Sequence, residues 1–496
     1  MHWKLREIAL GGADVAVRAA RAGIPWLVRR LLELPALSTA QAALLVRQLG
    51  IVTLADLEVA LDDGCVAQVL PAEATARLVS AASALHFEAA QVPLGRALDL
   101  IESLLADVSK ACAGIEDVVP AGDVRRFEIL VRDFVVVAAA ADPQSAIDAI
   151  CVMPAVADVP HRSGRRAVLH HQHVEFDLRV TTPEEYGTTL FNATGSRGHL
   201  KAVNARRGRP AIWSREEDVY RQAGLQWIPP EIRHAAGEIE AAAERALPAL
   251  LERRDIRGDL HMHSTYSDGR DALTQMVAAC CALGYEYMAI TDHSERAAAS
   301  RTLSIDELAR QRDEVARLRE EFPQVTILHG VEVDILLDGS LDFPDAVLEG
   351  LDIVLASMHE SGRQDPPTLT RRCIQAIRHP LVNVITHPAN RLVGRKTGYA
   401  LEFDAVYAAA AETGTALEID GAPSHLDLDS EHARAAVAAG VTVVIDSDCH
   451  RARSLDRQMQ MGIGIARRGW VEARHVLNAR PVAEVRAFVA AKRQVS

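Results

Sequence analysis

The hydrophobic rhythm of the chain changes twice along its length. From the first residue to about 115, apolar positions recur at three- and four-residue spacing, as in "PALSTAQAALLVRQLGIVTLADLEVALDDG", with Ser and Thr where helices would begin. A similar unit, "LPAEATARLVSAASALH", follows at once, so 1–115 reads as a helical region. Over 116–225 the pattern shifts to short β-rich runs, among them "RFEILV", "DFVVVAAA" and "RAVLHHQHVEFDLRVTT", mixed with short helical stretches. That mixture predicts an α+β unit. A Pro-Pro turn and one helical stretch make 226–255 a linker. From 256 to 490 the alternation is strict: "MAITD", "VTILHGVEVDI", "DIVLASMH", "VNVITHP", "TALEID" and "VTVVIDSD" are separated by helical segments such as "SIDELARQRDEVARLREEF". Strand–helix alternation on this scale implies parallel strands, in an α/β barrel or a doubly wound sheet.

Composition narrows the setting without naming a chemistry. At 496 residues, 49% hydrophobic and 24% charged, the chain has room for several domains with ordinary cores. No apolar run is long enough to span a bilayer, and "MHWKLREIAL" is not followed by the apolar stretch of a signal peptide; a cytoplasmic protein without a membrane partner is expected. The seven cysteines are scattered and include no Cys-x-x-Cys, which argues against disulfides or a zinc ribbon. Cys449, inside "DSDCH", is the one to follow. A net charge of −13 weighs against a protein that coats nucleic acid, although Arg162–Arg209 carries nine Lys/Arg against four Asp/Glu and could form a basic patch.

The placement of ionisable residues is more informative. Nearly every predicted strand after 256 ends in His, Asp or Glu: His261 and His263, Asp292 and His293, Glu332, His359, His387, then Asp448 and His450. In an α/β barrel the C-terminal strand ends converge on one face. So many polar groups at buried strand ends would be costly unless something shared satisfied them. Imidazole with carboxylate is the ligand chemistry of Zn²⁺, Mn²⁺ and Fe²⁺. With Asp268 in "HMHSTYSDG", nine candidate ligands exceed what one ion can use. Two or three divalent ions are implied, with Glu332 expected to bridge. Clustered ions suit phosphate-ester hydrolysis, one lowering the pKa of a water and another neutralising phosphate oxygens. No Ser/His/Asp relay or phosphate-binding glycine loop competes; "GIGIARRG" (462–469) is too irregular.

These residues carry a family resemblance. "GDLHMHSTYSDG", "ITDHS", "HGVEVDI", "SMHES", "THPANR", "LEIDGAP" and "DSDCH" resemble, in order and spacing, the PHP (polymerase and histidinol phosphatase) domain. The resemblance implies a distorted seven-stranded (β/α) barrel with three metals. His261, His263, Glu332 and Asp448 would hold one ion; Glu332, His359 and His387 a second; Asp268, His293 and His450 a third. The whole chain resembles bacterial family X DNA polymerases, in which a polymerase core precedes this domain. "FDLRVTTPEEYGTTLFNATGSRGHLKAVNARR" resembles the palm segment bearing that family's third catalytic aspartate, and "AGDVRRFEILVRDFVVV" falls where the family has Gly-Ser, Arg-Arg and two aspartates separated by one residue.

In that alignment Asp133 keeps the first aspartate and Asp177 the third, but Val135 replaces the second, and Gly-Ser reads Gly122-Asp123. Two-metal nucleotidyl transfer needs carboxylates for both ions. The helix-hairpin-helix loops, "LPALSTAQA" and "LPAEATA", lack the glycines that let backbone N–H groups approach DNA phosphates. A degenerate polymerase site is therefore expected at Asp133 and Asp177. The resemblance implies 3′→5′ exonuclease action, extending to DNA 3′-end processing in repair, with Mn²⁺ as first choice of metal and Zn²⁺ or Fe²⁺ as alternatives. Glu332, Asp448, His359 and Arg391 are the expected catalytic residues, Arg391 and Arg395 serving as phosphate clamps. Asp420 and His425 stand where the family often has Asn and Arg. DNA ends are the expected partner. The alternatives are a phosphatase of small phosphoesters, a residual polymerase, or a DNA-end scaffold whose barrel merely binds metal.

Overall fold

The computed structural model of the chain describes residues 24–494 apart from 35, 113 and 209–210. The first 23 residues of the expected helical region, and Arg209 at the end of the basic segment, lie outside the described residues. The chain divides into two compact units, Met1–Leu247 and Pro248–Ser496.

In the first unit the predicted caps form. Ser38 Oγ accepts from Gln41 N–H while the Gln41 side chain accepts from Ser38 N–H, starting the helix Thr39–Leu49. Thr53 and Asp56 repeat that exchange at Leu54–Asp62. Reciprocal caps satisfy two otherwise orphaned donors each. Leu45, Leu57, Leu78 and Leu85 make the core of this helical part. The α+β part is a five-stranded sheet: β1 (Ile115–Pro120), β2 (Val135–Ala140), β3 (Val156–Arg162), β4 (Arg166–His171) and β5 (Val174–Thr181), in the order β1-β2-β5-β4-β3. β2 and β5 run parallel, with Val135 in register with Asp177. The stretch expected as a linker is largely packed into this unit. Arg233 is fully buried and pairs with Glu216, and Glu238 holds His199 at 2.7 Å; the division between the units falls at 247, inside the expected 226–255 stretch.

The second unit is a nearly closed seven-stranded parallel barrel. Its strands are β6 (Gly258–Asp259), β7 (Tyr287–Ile290), β8 (Thr326–Asp334), β9 (Ile353–Ser357), β10 (Val384–Ile385), β11 (Ala416–Asp420) and β12 (Val443–Asp446), each beside its neighbour in sequence. A parallel bridge between Met262 and Cys449, and the bond from Leu260 N–H to Asp446 Oδ1 (2.7 Å), join the first strand to the last. Inward residues Leu260, Ala289, Leu328, Leu355, Val384 and Val444 form one core with Leu477, Val485 and Val489 of the C-terminal segment. Strands covered on both faces read as continuous apolar runs, which is why the sequence shows them so plainly. The polar residues are left to the C-terminal ends.

Candidate metal centre

The site begins with the short strand β6. His261 and His263 are two residues apart in extended backbone and face one side, their Nε2 atoms 3.1 Å apart. From the last strand, Asp448 places Oδ1 3.0 Å from His263 Nε2 and 3.6 Å from His261 Nε2. From β8, near the middle of the barrel, Glu332 reaches the same point: its Oε2 lies 3.6 Å from His261 Nε2 and 3.8 Å from His263 Nε2. Four donor atoms from three strand ends thus face one another.

The other oxygen of Glu332 faces a second set. Oε1 is 3.0 Å from His387 Nε2 and 3.8 Å from His359 Nε2, and Thr386 Oγ1 donates to it at 2.8 Å. A third set gathers round Asp268, whose Oδ1 is 3.1 Å from His450 Nε2 and 3.5 Å from His293 Nε2. His293 does not belong to that set alone, because its Nδ1 lies 2.7 Å from Glu332 Oε2. The described residues thus contain three groups able to hold an ion: His263, Asp268, His293 and His450; His261, His263 and Asp448; and His293, Glu332 and His359. Eight of the nine expected ligands fall in these groups, with His263 and His293 shared between groups, while His387 falls in none of them and Glu332 in only one.

Two features suit these positions to a bound cation. His293 Nδ1 and Glu332 Oε2 are 2.7 Å apart, yet neither makes a hydrogen bond; Asp268 Oδ1 is likewise buried without one. Their lone pairs converge beside one another instead of aligning donor to acceptor. A cation at the convergence satisfies what a hydrogen bond does not. The charge arrangement agrees. Burial would raise the carboxyl of Glu332, but the imidazoles of His261, His293 and His359 outweigh it and hold it well below the usual carboxylate range. Asp448 is lowered in the same way, against its burial, by His261, His263 and His450. His263 is pushed down to about 3 by burial and by His293 and His450, so its ring nitrogen is a free ligand atom at neutral pH.

Carboxylates behind the imidazoles fix their orientation. Glu418 Oε1 takes His261 Nδ1 at 2.6 Å and Oε2 accepts from His387 N–H at 2.7 Å, while Asp334 Oδ1 takes His359 Nδ1 at 2.8 Å. Such partners set which ring nitrogen faces a metal. Neither was singled out from sequence, although "LEID" and "VEVD" place acids at strand ends. Asp292 plays a different part: its two oxygens accept from Ser264 N–H and Oγ, Ser267 and Gln311, tying down the loop after β6. Gly269 of "SDG" is required there, since a Cβ would sit 2.6 Å from the Ser264 carbonyl. His387 (φ 25°) and Asp448 (φ 47°) occupy left-handed backbone that non-glycine residues rarely adopt, a strain that ligand positions often carry.

Other candidates fall outside the donor groups. Cys449 is buried with its thiol donating to Arg451 O at 2.8 Å and pushed up to about 12, mainly by burial, so it offers no thiolate. Arg391 is buried and engaged, Nε donating to His425 O at 2.8 Å and Nη1 pairing with Asp429 at 3.2 Å; Arg395 is exposed on the following loop. Arg391 thereby holds the backbone of His425, whose ring stacks on His387 with centroids 5.2 Å apart. Asp420 is buried, with Oδ1 accepting from Ala422 N–H.

The polymerase-like site is built differently. Asp177 is gripped by two guanidinium groups, Arg166 Nε to Oδ1 at 2.6 Å and Arg179 Nη2 to Oδ2 at 2.7 Å. Beside it Val135 packs with Ala121, Val137 and Leu190. Asp123 turns inward, accepting from Arg126 Nη2 at 2.5 Å and from the backbone N–H of Arg132 and Asp133. Asp133 is pushed up to about 7, by burial first and then by Asp123. Among the described residues, no donor group able to hold an ion occurs in this unit.

A seven-stranded barrel with this donor set at its strand ends, preceded by a polymerase-like palm, defines a two-part enzyme acting on phosphoesters. Residues 259–394 match the PHP domain family. The chain is 33% identical over 511 residues to the DNA polymerase/3′-5′ exonuclease PolX of Bacillus subtilis, covering 98% of this chain and 88% of that protein. It is also 39% identical over 140 residues to a probable phosphatase of Shewanella oneidensis, covering 26% of this chain and 53% of that protein. A solved histidinol phosphate phosphatase of Lactococcus lactis aligns with a TM-score of 0.36 and 19% identity, over 44% of this chain and 94% of that one. The chain belongs to the bacterial PolX family, the family X polymerases with a C-terminal PHP domain. No helix among its described residues is long and apolar enough to cross a membrane.

Proposed function

We propose that this chain is a metal-dependent 3′→5′ exonuclease that trims DNA ends in repair in the cytoplasm, and that its palm has weak or no nucleotidyl transfer. The observation that carries the hydrolytic half is Glu332, with imidazoles against both oxygens and one oxygen buried without a hydrogen bond. His261, His263, Glu332 and Asp448 would hold one divalent ion, Glu332, His359 and His387 a second, and Asp268, His293 and His450 a third. Ions so held supply an activated water and neutralise phosphate oxygens. The mixed imidazole and carboxylate donors, without thiolate, favour Mn²⁺ over a structural zinc. Glu418 and Asp334 hold the Nδ1 edges of His261 and His359, which turns their Nε2 atoms toward the donor groups. Arg391 acts at one remove, positioning His425 against His387.

The loss of nucleotidyl transfer rests on Asp177. A carboxylate already shared by Arg166 and Arg179 has little left to offer Mg²⁺, and Val135 supplies no ligand. The test is a Mn²⁺-dependent assay with single-stranded, recessed and 3′-phosphorylated DNA beside small phosphoesters. Nucleotide release from DNA 3′ ends, abolished by Asp448→Ala, is expected. Cleavage of small phosphoesters alone would replace this reading with a small-molecule phosphatase. Templated incorporation by a chain lacking His261 and His263 would restore the polymerase.

A further inference from the structure

An open cavity of about 370 Å³ adjoins the third donor group, and Asp268 and His450 form part of its wall. Arg270 and Arg451 line it as well, with Ser454 and Gln458. The two arginines follow ligand segments directly, and Arg270 N–H donates to His450 O at 2.8 Å, locking the two loops side by side. Both side chains are exposed, and among the described residues neither guanidinium has a hydrogen-bond or ion-pair partner. Three other arginines around the site are committed: Arg301 to the carbonyls of Ser267 and Thr265, Arg372 to those of Glu360 and Ile335, Arg391 to His425 and Asp429. Asp271, an acid close by in sequence, is turned to Ala452 N–H at 2.8 Å.

Two unengaged guanidinium groups beside candidate metal ligands have one obvious chemical match. Their forks fit phosphate oxygens in pairs, and they border the donors without joining them. We propose that Arg270 and Arg451 form a subsite for a second phosphate, that of the nucleotide next to the bond being hydrolysed. The barrel then selects a chain of phosphodiesters over an isolated phosphate ester. This inference rests on the hydrolytic reading above. It also supplies the phosphate contact that Arg391, held by His425 and Asp429, does not.

The experiment compares the full chain with Arg270→Ala, Arg451→Ala and the double variant, in Mn²⁺, on two substrates. One is an oligothymidylate. The other is the p-nitrophenyl ester of thymidine 5′-phosphate, which has a single phosphate. The ratio of kcat/KM for the oligonucleotide to that for the ester is expected to fall about tenfold with each substitution, as for one charge-assisted contact. Arg270→Lys and Arg451→Lys should restore part of it. The logarithmic salt dependence of oligonucleotide KM should flatten by about 0.7 for each phosphate contact removed. A ratio within about twofold of the unsubstituted chain, in the double variant, would overturn the subsite. Failure of the unsubstituted chain to cleave either substrate would instead overturn the hydrolytic reading on which it rests.

Discussion

Glu332 in the barrel and Asp177 in the palm are both buried strand carboxylates, yet their surroundings make them opposites. Glu332 faces imidazoles at 2.7–3.8 Å and one hydroxyl, that of Thr386, with no guanidinium or ammonium beside it, and one of its oxygens has no hydrogen bond. Asp177 has both oxygens taken by Arg166 and Arg179. Imidazole can give up its proton and become a co-ligand, whereas guanidinium stays charged and fills the place a cation would take. An acid at a motif position says little until its partner is known. The partner decides between a metal ligand and a salt bridge.

That contrast can be broken or sharpened by experiment. Glu332→Gln should abolish hydrolysis, with a loss on the order of a thousandfold or more, because one residue serves two ion positions. Steady-state rates in saturating Mn²⁺ check it, and a loss below about tenfold would break the bridging role. In the palm, Asp177→Ala should leave hydrolysis intact and cost about 3 kcal/mol of stability, read from urea midpoints, because Arg179 loses its ion-pair partner while Arg166 keeps only Asp56. If the variant loses metal-dependent hydrolysis instead, the palm is part of the active machinery.

Smaller effects follow from the supporting groups. Asp334→Asn should weaken metal binding by about 10–100-fold through disorientation of His359, measured by titration with Mn²⁺. Glu216, held by Arg233 and Arg125 against its own burial, is lowered to about 2 from 4.5. A carboxyl lowered on folding adds stability that is fully present above pH 4.5 and is lost as pH falls toward 2. The first unit should therefore lose about 3 kcal/mol over that range. Glu216→Gln should flatten the profile of unfolding midpoint against pH; an unchanged profile would remove Glu216 from the account.

Much of this was legible in the chain. The nine ligand candidates stood out because buried parallel strands leave polar residues only at their ends, and period-two spacing put His261 and His263 on one side. Val135 and Asp123 were visible as departures from a resemblance. What escaped was pairing across distance. Glu418 meets His261 from 157 positions away, which depends on barrel closure, and Arg391 was read as a clamp because nothing in "THPANR" shows that Asp429 and the His425 carbonyl will claim it. One miss had a signal: Arg179 lies two residues from Asp177 on the same strand, so their side chains had to share a face.

The central claim is that metal sits in the barrel and not in the palm. Mn²⁺ stoichiometry of the full chain, measured by equilibrium dialysis, tests it most directly in three proteins: unsubstituted, Asp133→Ala with Asp177→Ala, and Glu332→Gln with Asp448→Ala. The account predicts about two to three tightly held ions in the first two proteins and fewer than one in the third. Ions lost from the palm variant, or retained in the barrel variant, would contradict it.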